Sequence, residues 1–297
     1  MMRACLPCLL LITTALLLDA EPNRPLLFTQ LLRDPATTGT AIHLENGELC
    51  RLRPGSNEVV VTTRHGQAAT RKTVKSIKGI HSCAISSDGR MAFAAPGLIV
   101  VEDSARHTTK ELTLGKFSPV RVHFDHEGQL WAIGYLDVAD TPEQDHLVVI
   151  KYDRDLATAA RLSIPFSTGE DVPHPSALIF VASSKSDIVI LSPLRNQLIL
   201  IARDNTTGTG IRHHLLPPFA TESLITGIGV TAEGVVAISV QESRKDGNWY
   251  RLLRWDVLQN TWRKLGEPTS EPKILLGAQG DSLMLFRPPN YDWITAR

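Results

Sequence analysis

The chain has 297 residues, of which 43% are apolar and 21% charged, and its 31 Lys and Arg balance its 31 Asp and Glu to a formal net charge of zero. This composition suits a globular protein with a substantial core. Scattered cations on a neutral chain argue against recognition of nucleic acid through a basic surface, and the length admits one large β domain or two smaller ones.

Residues 1–20 read as a secretory signal peptide. Arg3 precedes a short apolar run that ends at Leu18, and Ala20 is a small residue at the cut position before Glu21-Pro22. The run is short of the roughly 20 residues a bilayer needs; an uncleaved membrane anchor is the alternative. The expectation is a mature chain from Glu21, secreted or periplasmic, monomeric, and free of the membrane after cleavage. Cys5 and Cys8 precede the apolar run, so a cut near Ala20 leaves only Cys50 and Cys83. Two cysteines in an exported protein are candidates for one disulfide. Two buried, inert thiols are the other reading.

Beyond a lone strand at 24–33, the mature chain 21–297 repeats one pattern: strand, tight turn, strand, then two more strands. The units run over about 39–78, 79–115, 119–165, 176–217, 224–267 and 272–297. The first strands begin at about Thr40, His81, Arg121, Ala177, Thr226 and Lys273. The turns that follow them carry Asn46-Gly47, Asp88-Gly89, Glu127-Gly128, Ser183–Ser186, Glu233-Gly234 and Gly280. Asn-Gly between alternating segments is a strong hairpin signal. Ser and Asp can make the fourth turn through side-chain bonds to the backbone. Polar stretches at 137–144 and 242–248 read as loops.

The turn glycines set the period. Gly47 to Gly89 is 42 residues, Gly89 to Gly128 is 39, Gly128 to Gly234 is 106 across two units, and Gly234 to Gly280 is 46. Four strands in about 40–50 residues is the spacing of propeller blades. Short β-branched runs such as 147–151 and 198–201 fit strands covered on both faces. The fold expected is all-β: a six-bladed β-propeller with four antiparallel strands per blade. The last unit has only three strands, and the N-terminal strand at 24–33 would complete it and close the ring. Seven blades, or a β-sandwich in two domains, are the alternatives.

Phe124-Asp-His-Glu-Gly-Gln-Leu-Trp-Ala-Ile133 resembles the D-x-x-G-x-L-W blade signature of NHL-repeat proteins and SMP-30/gluconolactonase-like propellers, and Ile85–Phe93 is similar to it. The resemblance implies propeller architecture over most of the mature chain. For the SMP-30-like branch it also implies an ion at the channel mouth held by a Glu, an Asn and an Asp. Glu45 and Asn46 sit in a hairpin turn, and 177–182 and 226–230 offer no Asn or Asp, so the chain departs from that ligand set.

His43, His81, Arg121 and His123 fall on or near first strands, where a propeller's channel opens. With Asp125 or Asp103 they would make a polar or metal-binding cluster. Alternatively they are isolated polar residues satisfied by backbone and water. His123 and His126 straddle strand and turn, and adjacent His213 and His214 should face opposite ways. Asn205-Thr-Thr207 is a glycosylation sequon. Trp249, Trp255 and Trp262 lie in one unit, as outer-strand packing or as a stacking surface. No catalytic residue, cofactor or bound metal is assigned. The expected function is a non-catalytic exported module binding a protein or a small molecule. A metal-dependent hydrolase or lactonase, using a divalent ion, is the alternative.

Overall fold

Short apolar runs separated by Gly, Asp and Ser form strands because each tight turn returns the chain beside the strand it has just left. The computed structural model describes most residues from 77 to 296, with the backbone of four strands between 41 and 73; residues 1–40, 137–145, 166–178 and several shorter connections lie outside that description. Six antiparallel sheets result among the described residues, five of four strands and one of three.

The first sheet is β1 (Ala41–His43), β2 (Leu49–Leu52), β3 (Glu58–Thr62) and β4 (Ala68–Thr73). The second is β5 (Ser82–Ile85), β6 (Met91–Ala95), β7 (Leu98–Asp103) and β8 (Thr108–Thr113). The third is β9 (Phe117–Phe124), β10 (Leu130–Leu136), β11 (Leu147–Tyr152) and β12 (Thr158–Ile164). The fourth is β13 (Phe180–Ser183), β14 (Asp187–Ser192), β15 (Gln197–Ala202) and β16 (Arg212–Leu215). The fifth is β17 (Ser223–Val230), β18 (Val236–Arg244), β19 (Gly247–Asp256) and β20 (Thr261–Lys264). The last is β21 (Ile274–Gln279), β22 (Ser282–Arg287) and β23 (Asn290–Thr295). Each is a meander in chain order. First strands of successive sheets pack together from β5 through β9, β13 and β17 to β21, and β1 lies against both β5 and β21.

The core is a series of layers between sheets. Ile99 and Val101 of the second sheet meet Val122, Leu130 and Val148 of the third. The other face of the third, with Trp131 and Val149, meets Ile188 and Ile199 of the fourth. Val189 and Leu198 then meet Ile228, Ile238 and Trp255 of the fifth. Two-sided burial explains why β11 is buried at every residue, while the outer strand β16 is mostly exposed. This is an all-β propeller arrangement of antiparallel sheets. Among the described residues no helix is long and apolar enough to cross a membrane.

Two differences from the sequence reading have physical causes. The stretch at 242–248 is a β-hairpin rather than a loop: Glu242 pairs Trp249, Ser243 pairs Asn248 and Arg244 pairs Gly247, and Gly247 takes the positive φ of 123°. First strands β9 and β17 begin earlier than their apolar runs suggest, since a bulge in each absorbs one residue, Val120 and Thr226 respectively. The proposed closing strand at 24–33 lies outside the described residues.

Two glycines permit the closest approaches. A Cβ on Gly227 would lie 1.9 Å from the Leu275 carbonyl oxygen of the next sheet, and one on Gly134 would lie 2.0 Å from that of Ser118. Backbone cannot yield as a side chain tip does. Gly227→Ala and Gly134→Ala should each lose about 3 kcal/mol of stability in denaturant titration; a loss below about 1 kcal/mol would contradict this packing.

Candidate functional site

The signature turn is a set of hydrogen bonds. Asp125 is fully buried. Its Oδ1 accepts the N–H groups of Glu127 and Gln129, each at 2.9 Å, and its Oδ2 accepts Trp131 Nε1–H at 2.9 Å. Gly128 N–H donates to the Asp125 carbonyl at 2.9 Å. Its Asp, Gly and Trp therefore build a turn and its packing. The same place is taken by Ser86, Ser184 and Thr231, whose hydroxyls accept N–H groups of Arg90 (3.0 Å), Asp187 (2.9 Å) and Val235 (3.0 Å). The buried acceptor at the turn's start is the deeper repeat, and it persists in the fourth sheet, where glycine is missing. Sequence reading that followed glycine overlooked it.

These turns interlock. Arg90 Nη2 donates to the Gly128 carbonyl of the next sheet at 2.6 Å and its guanidinium pairs with Asp88 at 3.0 Å. Farther round, Lys185 N–H donates to Ala232 and Ala232 N–H to Gly280, both at 3.0 Å.

The candidate channel residues make similar ties rather than one cluster. His81 Nε2 contacts the Pro119 carbonyl oxygen, joining the second sheet to the third. Arg121 donates from Nε to the Ile179 carbonyl at 2.8 Å and from Nη1 to the Val120 carbonyl at 2.9 Å. His123 Nε2 and Ser183 Oγ are 2.8 Å apart. His126 bonds the Ser183 backbone, so both histidines converge on one residue of the fourth sheet. For His43 the structure describes the backbone at the end of β1; its side chain, Glu45 and Asn46 lie outside the described residues.

The carboxylates stand elsewhere. Asp103 is at the far end of β7, where its Oδ1 accepts Arg106 N–H at 3.0 Å, away from the first strands. Among the described residues no three His, Cys, Asp or Glu gather to hold a metal ion. Burial pushes the His123 pKa down to about 4, against a smaller opposing pull from Asp125. Burial also lowers His81 and His126. For Arg121 burial lowers the pKa to about 10, which leaves it charged at neutral pH.

Other singled-out residues find mostly structural roles. Trp255 packs against Trp262 at 5.2 Å and His214 at 5.1 Å between ring centroids. Trp249 stands apart on the long hairpin under the Arg244 guanidinium, 4.9 Å from its ring centre. His213 is exposed while His214 is half-buried. Asn205 is buried, its Nδ2 donates to Thr209 O at 2.6 Å, and its Oδ1 accepts two backbone N–H groups. The amide that a glycan would need is thus already used. Cys83 on β5 is disulfide-bonded, and β5 lies beside β2, which carries Cys50.

No family model and no curated protein matches the chain. Solved structures do. It resembles a gluconolactonase from Xanthomonas campestris at TM-score 0.52 and 13% identity, over 86% of this chain and 86% of that one. A protein of unknown function from Bacteroides caccae matches at TM-score 0.54 and 9% identity, over 84% and 90%. The extracellular domain of a hybrid two-component-system protein from B. thetaiotaomicron matches at TM-score 0.51 and 10% identity, over 85% of this chain and 32% of that one. Such identities show the fold alone: the chain is a β-propeller, and its neighbours include enzymes and an extracellular domain.

The His123 environment has a pH consequence. The fold holds this imidazole neutral, with a pKa of about 4 against the ordinary 6.5. The unfolded chain therefore gains a proton first as pH falls. Stability is complete above pH 6.5 and erodes between 6.5 and 4, by about 3 kcal/mol for this residue. Denaturant titrations of wild type and His123→Gln across that range should show a shallower slope in the variant. Equal slopes would place the proton elsewhere.

Proposed function

We propose that the chain is an exported, monomeric six-bladed propeller, 21–297, that serves as a non-catalytic binding module for a protein or small molecule and needs no cofactor or nucleic acid. One observation carries this reading: His81 beside β5, and Arg121 and His123 on β9, are each tied to the next sheet. Groups committed to joining blades hold a rigid frame, and a rigid frame suits recognition. The contact of β1 with both β5 and β21 supports a ring of six blades, with the strand at 24–33 completing the three-stranded last sheet.

Export places the chain in an oxidising compartment, which suits the disulfide at Cys83. We assign Cys50 as its partner, since Cys5 and Cys8 belong to the signal peptide. Chain secreted by its own signal should begin at Glu21, and its Cys50 and Cys83 should resist alkylation until a reductant is added. Free alkylation without reductant would remove that support for export.

The functional test is metal content, melting with and without chelator, and turnover of a lactone and ester panel. The expected result is no stoichiometric ion, a melt indifferent to chelator, and no turnover. A bound ion with lactone hydrolysis that disappears in His81→Ala and His123→Ala would overturn the binding reading in favour of the metal-dependent lactonase.

A further inference from the structure

We propose that the channel between the first strands binds a small oxyanion, a carboxylate or a phosphate, at the Arg121 guanidinium. The proposal names the ligand class of the binding module above and rests on that reading.

The first observation is one of charge. The six first strands read Ala-Ile-His, Ser-Cys-Ala-Ile, Phe-Ser-Pro-Val-Arg-Val-His-Phe, Phe-Val-Ala-Ser, Ser-Leu-Ile-Thr-Gly-Ile-Gly-Val and Ile-Leu-Leu-Gly-Ala-Gln. They contain no Asp, Glu or Lys, so Arg121 is their sole permanent charge. The nearest carboxylate in sequence, Asp125, is occupied by three N–H donors at the turn.

The second observation is how the guanidinium is held. Two of its N–H groups donate to carbonyls, Nε to Ile179 and Nη1 to Val120. Carbonyls orient a cation without cancelling its charge. A guanidinium has five donors, and among the described residues no carboxylate pairs with those that remain. Arg121 is half-buried, and its two carbonyl bonds fix the guanidinium in place. Holding a charge partly out of water without a partner is costly. A planar fork anchored on one side is suited to accepting an oxyanion on the other, with two parallel N–H bonds. His81 lies beside it, and burial keeps that imidazole neutral.

The test is titration calorimetry and melting of the purified chain, in chloride-free buffer, with acetate, succinate and inorganic phosphate. Wild type should bind at least one of them saturably and melt higher with it. Arg121→Gln keeps a donor for Ile179 and removes the charge, and should weaken that binding by about tenfold or more. If Arg121→Gln does not fold, Arg121→Lys carries the test: it keeps the charge and loses the fork, and should bind carboxylates more weakly than wild type. Saturable binding by none of the three anions, or equal binding in wild type and the folded variant, overturns the site. Lactone turnover that survives both substitutions would instead overturn the binding-module reading, so the two failures are told apart.

Discussion

A sheet covered on both faces has little water with which to satisfy a polar side chain, so such a group is costly unless it finds a partner in its own turn or on the neighbouring sheet. The rest of this structure depends on that constraint. Arg90 reaches the Gly128 carbonyl, His81 the Pro119 carbonyl, and Ser82 Oγ accepts Val122 N–H at 3.1 Å. On the far side of the molecule Ser239 Oγ accepts Leu275 N–H at 3.0 Å and bonds Thr226. Apolar layers supply most of the stabilisation between sheets, and these directional bonds fix how each sheet is registered on the next.

The same constraint shapes the chemistry. A histidine enclosed between blades is held neutral, and a carboxylate enclosed in a turn is consumed by backbone N–H groups, so neither remains available as a loosely held ligand. Arg121 differs because its fixed partners are carbonyls, which leave its charge in place. Similarity to a gluconolactonase therefore speaks to the arrangement of sheets alone.

Much of the architecture was legible in the residues. The turn glycines gave the repeat length, and the units drawn from it each hold one antiparallel meander. Early starts of β9 and β17 were not legible. A bulge changes which face a residue occupies without changing its type, so Val120 and Thr226 look like ordinary strand residues. The 242–248 hairpin was read as a loop because charged residues on a protruding hairpin carry no apolar alternation. The ties made by His81, Arg121 and His123 were equally hidden, since their acceptors lie at Pro119, Ile179 and Ser183.

What the residue order determined by itself is local: strands from short β-branched runs, turns from Gly, Asp and Ser, and a period that makes one unit about 40 residues long. These follow from backbone sterics and side-chain periodicity, which act over a few neighbours. Only the tertiary structure decided which polar groups meet, because partners such as Arg121 and Ile179 are brought together by sheet packing and not by spacing along the chain. It thereby showed that His81, Arg121 and His123 reach acceptors on the next sheet.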